Sequence, residues 1–130
     1  MLVIRDAQIQ SLIAKSDDDI VRLTAEAVIR ACHSRVASIR PLRLLSMVKI
    51  GIARAKELGF QNAEDIASFV ALMFEVAPQF SEQPEIAAVL ADTTFSPGER
   101  ISQLPERVSD AAWAEAEQLY DARYWFSETV

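Results

Sequence analysis

Ile66, Phe69, Val70, Met73, Phe74 and Ala77 constrain the fold more than any other part of this chain. They recur at i, i+3, i+4, i+7 and i+8, the spacing of one face of a helix with 3.6 residues per turn. Leu72 and Val76 are apolar too, so only a narrow edge of this helix is left for water. A helix that is apolar nearly all round needs other helices around it. The spacing therefore predicts the central helix of an all-α protein.

The elements on either side are marked by breakers and caps. Arg5 to about Lys15 reads as a first helix, with Ile4, Ile9, Leu12 and Ile13 toward one face. Ser16 and the acidic run Asp17–Asp19 open a second helix, where the peptide dipole favours negative charge. Its apolar stripe is Ile20, Leu23, Thr24, Ala27, Val28 and Ala31, and it is expected to run until shortly before Pro41. Pro41 starts a third helix with a stripe of Leu44, Leu45, Val48, Ile52 and Ala55. Gly59 reads as the left-handed residue that ends it.

Asn62 caps the central helix, and Asp65 three residues on gives the pattern of a capping box. Pro78 stops that helix, and Pro84 opens a short one to about Ala91. Ser96-Pro97-Gly98-Glu99 is a capping box with proline at the first helical position. Pro105 is expected to break or kink the helix that follows, which carries Ile101 and Leu104. A last helix, capped by Ser109, is expected from Asp110 to about Trp125. Alternating strand patterns and Asn-Gly or Asp-Gly turns are absent from the sequence. The expectation is an all-α, compact bundle of about five to seven helices, one domain over residues 1–130.

Composition narrows the function classes. Charge is uneven: residues 1–65 carry ten Lys and Arg against eight Asp and Glu, and residues 66–130 carry three against eleven. An acidic C-terminal half argues against nucleic acid there and permits a basic protein partner. The single cysteine, Cys32, forms no internal disulfide and fits a reducing cytoplasm. The N-terminus lacks the pattern of a signal peptide, and no apolar run reaches the roughly 20 residues of a membrane span.

Chemistry-bearing patterns are sparse. His33 is the only histidine; with Cys32 beside it on a helix, the two point about 100° apart and suit no zinc site. Glycines at 51, 59 and 98 cannot form a phosphate loop. Asp17–Asp19 lacks the spaced ligands and glycine of a calcium loop. The expectation is no enzyme, no metal and no cofactor.

Trp113, Tyr120, Tyr124, Trp125 and Phe126 cluster near the C-terminus. Trp113 and Tyr120 read as core residues of the last helix. Trp125 and Phe126 either join them or form an exposed docking patch, since Trp and Tyr are enriched at interface hot spots.

Residues 48–60 (Val48-Lys49-Ile50-Gly51-Ile52-Ala53-Arg54-Ala55-Lys56-Glu57-Leu58-Gly59-Phe60), residues 65–74 and Pro78-Gln79-Phe80 carry a resemblance, with Ile4-Arg5-Asp6-Ala7-Gln8 in keeping. The chain resembles, over about residues 4–82, the small helical proteins encoded beside spike, PAAR and adaptor-chaperone components of type VI secretion clusters. The resemblance implies a cytoplasmic co-chaperone that binds an adaptor chaperone, a secreted effector, or both. It makes Gly51, Arg54, Gly59, Asp65, Phe69 and Pro78 structural residues of the pattern. Arg54 and Asp65, its polar members, would bridge two helices or face a partner. Ala77 stands where such proteins often have glycine.

Leu72, Val76, Phe80, Tyr124, Trp125 and Phe126 are the candidate partner-binding residues. The alternative function is an immunity protein that neutralises a toxin, and the same apolar patch would suit a homodimer.

Overall fold

The computed structural model describes residues 17–129, with no account of the side chains of Asp17, Asp18 and residues 126–129. The expected helix over Arg5–Lys15 lies outside the described residues. Within them every regular element is helical. The α-helices are α1 (Asp17–Ala31), α2 (His33–Val36), α3 (Pro41–Glu57), α4 (Ala63–Glu75), α5 (Pro84–Leu90), α6 (Pro97–Arg107) and α7 (Asp110–Gln118). Short 3₁₀ segments span Phe80–Glu82 and Ala122–Thr129.

Helix α4 is the centre, as its periodicity requires. Asn62 caps it, its Oδ1 accepting from the backbone N–H groups of Glu64 at 2.7 Å and Asp65 at 3.4 Å. Ile66, Phe69, Val70 and Met73 have no exposed surface, and Ala77 and Pro78 are buried just beyond the helix end. Helices α1 and α3 both pack on α4. Gly51 of α3 allows a close approach: a β-carbon there would lie 3.0 Å from Val70 Cγ1 and 3.3 Å from Met73 Sδ.

Gly59 has φ +99°, the left-handed geometry that ends α3 without the steric cost a β-carbon brings. The turn it makes sends Phe60 inward. Phe60, Phe69 and Phe80 then form a buried aromatic line, with ring centroids 5.5 and 5.0 Å apart. Core residues from α1, α3, α4, α5, α6, α7 and the last 3₁₀ segment belong to one contiguous cluster.

Three boundaries differ from the sequence reading. The second helix stops at Ala31, and α2 restarts one residue later, because Cys32 leaves helical geometry (φ −129°, ψ 39°). Its thiol instead points at the Ala71 carbonyl of α4, 3.8 Å away. Helix α6 continues through Pro105 to Arg107. Proline there removes one backbone donor late in the helix, and the next turn still closes through Val108 N–H to the Leu104 carbonyl. The last helix ends at Gln118 rather than near Trp125. The Gln79 side chain holds the break, donating to the Asp121 carbonyl at 3.1 Å and accepting from its N–H at 3.2 Å.

Side chains tie the C-terminal helices together. Ser96 and Glu99 complete the expected capping box of α6. Arg100 donates from Nε to the carbonyls of Asp92 and Phe95 and from Nη1 to Leu90, fastening the end of α5 to α6. Ser109 caps α7 and is itself held by Glu85 of α5. Gln83, buried, caps α5 and reaches Glu115 of α7 at 3.3 Å.

Candidate functional site

Side chains at i, i+3, i+4 and i+7 form a row along a helix. On α4 the row Ser68, Ala71, Leu72 and Glu75 lies beside Ile101, Leu104 and Pro105 of α6, with Trp113 of α7 closing one side. The result is a groove of about 320 Å³ open to solvent. Leu72, Ile101 and Trp113 are half-buried: they pack on the core and still present surface to the groove. Ser68 and Ala71 are small, which leaves room for a close neighbour on α4.

The other partner-binding candidates are placed differently. Val76 is half-buried beyond the end of α4. Phe80 has no exposed surface and belongs to the aromatic line, so as a docking residue it is corrected to core. Trp125 is likewise corrected: it is 2% exposed, and its ring stacks on Phe74 at 4.8 Å and meets Tyr124 edge-on at 6.2 Å. Tyr124 is half-buried against the same cluster. The side chain of Phe126 lies outside the described residues. Tyr120, expected in the core, is 52% exposed instead. The break at Gln118 accounts for this, since beyond it Tyr120 no longer continues the face of Trp113 and Ala116.

A smaller cavity of about 230 Å³ lies between Arg35, Ile39, Met47, Phe74, Tyr120 and Trp125. A third, polar one of about 350 Å³ sits where the capped starts of α4 and α6 meet, lined by Asn62, Asp65, Ser96 and Gly98 among others. There the Asp65 carboxylate lies against Gly98; a β-carbon on Gly98 would come within 2.9 Å of Oδ1. Burial, and next the neighbouring Glu64 charge, push the Asp65 carboxyl above its ordinary range. Arg54 pairs with Glu57 of its own helix at 3.7 Å. Arg54 and Asp65 are thus engaged separately, Arg54 along α3 and Asp65 against α6.

Burial, followed by the nearby Glu75 charge, raises the Cys32 thiol above its usual range, which favours the unreactive protonated form. His33 is exposed. Among the described residues no group of three His, Cys, Asp or Glu side chains is arranged to hold a metal ion. No helix among them is long and apolar enough to cross a membrane.

The groove mixes legible and illegible parts. Leu72 was marked by its surplus apolarity. Ile101 and Pro105 of α6 and Trp113 of α7 carry no sequence signal for it, because only the packing of these helices beside α4 brings them to the groove. Compared with known proteins, the chain matches no family model, no curated protein and no solved structure.

Proposed function

We propose that this chain is a non-enzymatic protein-binding factor, a cytoplasmic co-chaperone that helps an adaptor chaperone load a type VI secretion effector. The observation that carries the binding reading is the solvent-open groove between α4 and α6, with Leu72, Ile101 and Trp113 half-exposed along it. A groove between helices with an apolar floor is suited to a helix of another protein. The resemblance over residues 4–82 supplies the class of partner.

Co-expression of the tagged chain with the adaptor chaperone and the effector, singly and together, tests the reading. The expected result is a complex that requires the adaptor, seen by size-exclusion chromatography with light scattering, and that Leu72→Asp disrupts. The acidic C-terminal half favours a second reading, an immunity protein covering the basic cleft of a toxin. That reading expects tight binding to the isolated toxin domain without the adaptor. Light scattering of the chain alone also tells a homodimer from a monomer.

A further inference from the structure

The side chains that line the groove all come from the acidic half of the sequence; Arg35, from the basic half, lies within electrostatic reach of Cys32, as does Glu75. Between Lys56 and Arg100 the sequence contains no Lys or Arg, and beyond Lys56 the only cations are Arg100, Arg107 and Arg123. All three are committed within the fold. Arg100 holds three backbone carbonyls, Arg107 pairs with Asp92 at 3.2 Å, and Arg123 pairs with Asp121 at 2.8 Å.

The carboxylates near the groove point to the opposite charge in a partner. Glu75 lines the groove itself. Exposed Glu64 sits four residues before Ser68 on the same row of α4. Exposed Asp110 and Glu117 stand three residues before and four after Trp113, on its face of α7. The site is an apolar floor with Glu75 on it, and helical spacing puts Glu64, Asp110 and Glu117 on the rows that continue past its ends.

We propose, resting on the protein-binding reading above, that the groove seats one amphipathic helix of a partner protein, with an apolar face flanked by Lys or Arg. Three observations select this occupant. The floor is built from two rows with helical spacing, Ser68–Ala71–Leu72–Glu75 and Ile101–Leu104–Pro105, and so accepts side chains that repeat every three or four residues. No strand edge is available among the described residues to bind an extended peptide through its backbone. These carboxylates attract cations and repel an acidic helix, which fixes sign as well as shape.

Calorimetric titration of the full chain with three synthetic 18-residue peptides tests this. One has a Leu face and Lys flanks, one has the same Leu face with Glu flanks, and one is the Lys peptide with its order scrambled. The Lys peptide is expected to bind at least tenfold more tightly than either of the others. Leu72→Asp should weaken it at least tenfold although that change adds a negative charge. The double variant Glu75→Lys/Glu117→Lys, at two exposed positions and checked for a native fold by circular dichroism, should weaken the Lys peptide and strengthen the Glu peptide.

Equal binding of the scrambled peptide, or an affinity that Leu72→Asp leaves unchanged or raises while circular dichroism shows a native fold, overturns the proposal in favour of plain charge attraction. A tenfold gain on deleting residues 1–15 makes the chain's own N-terminal segment the occupant and overturns it too. So does a dimer of the chain alone that Leu72→Asp dissociates, which makes a second copy the occupant. Adaptor capture that survives Leu72→Asp sinks this inference and spares the co-chaperone reading. Failure of the parent chain to capture the adaptor, with the peptide ranking intact, sinks that reading alone.

Discussion

The side-chain amide of Gln79 pairs with both backbone groups of Asp121, forty-two positions away, as a neighbouring strand would. Helix α7 stops three residues earlier, and the chain beyond it is re-aimed so that Trp125 enters the core and Tyr120 faces water. Gln79→Ala removes both bonds and is expected to cost about 1–3 kcal/mol. Gln79→Glu should not restore it, because a carboxylate cannot donate to the Asp121 carbonyl. Urea denaturation measures the loss, and hydrogen exchange should localise it to the amides of Asp121–Tyr124.

Gly51 is expected to resist the substitution that usually helps a helix. Alanine normally improves on an interior glycine by about 1 kcal/mol. At this position the added methyl meets Val70 and Met73 at 3.0–3.3 Å. Gly51→Ala should therefore destabilise by about 1 kcal/mol, and become favourable when Val70→Ala makes room. A double-mutant cycle by urea denaturation reads the coupling; simple additivity would show that α3 and α4 are not in contact at this point.

Thr24 is buried, and its hydroxyl has no hydrogen-bond partner among the described residues. Valine has nearly the same shape and no polar atom to leave unpaired. Thr24→Val is expected to raise stability by about 1 kcal/mol, visible as a melting temperature higher by a few degrees. A fall of similar size would mean that the hydroxyl has a partner after all.

Core and groove residues should separate cleanly. Phe80→Ala and Trp125→Ala remove fully packed rings and are expected to cost about 3–5 kcal/mol each. Leu72→Ser, at a half-buried position on the groove, should cost clearly less while still impairing partner capture. Thermal melts and pull-downs on the same protein preparations distinguish the two kinds of loss.

Acid should loosen the C-terminal helices through two carboxylates. The Ser96 backbone N–H, and next its hydroxyl, lower the Glu99 carboxyl below its ordinary 4.5. The Thr94 hydroxyl and backbone N–H, with a smaller share from Arg107, lower Asp92 below 3.8. Both folded-state values lie under the unfolded ones. Their contribution is thus complete above pH 4.5 and is lost as pH falls through the lowered folded values. Glu99→Gln should be less stable than the parent at neutral pH, with the gap closing as the solution becomes more acidic than those values. A gap that stays constant across a series of urea titrations at falling pH would remove Glu99 from the account.

What could be read from the sequence was local. The period of α4, the left-handed Gly59, the Asn62 and Ser109 caps and the Ser96–Glu99 box each depend on residues within a few positions, and each stands in the structure. The departures are set by distant groups. Tyr120 faces water because α7 ends at Gln118, beyond which Gln79 holds Asp121. The break at Cys32 coincides with a thiol turned toward Ala71, thirty-nine positions on. Leu72 could be marked as surplus apolar surface, whereas its groove partners on α6 and α7 became neighbours only through packing.

Pro105 has no backbone N–H, so the Ile101 carbonyl, one turn earlier, loses the donor that a continuous helix would supply. Both residues line the groove. An occupant made only of hydrocarbon that covered that oxygen would forfeit about 1–3 kcal/mol. An occupant bringing a hydroxyl or amide hydrogen to that spot would avoid the loss. Were a helix seated in the groove as proposed, this single proline would give an otherwise greasy surface a sense of register, favouring one alignment over the same helix slid by a turn.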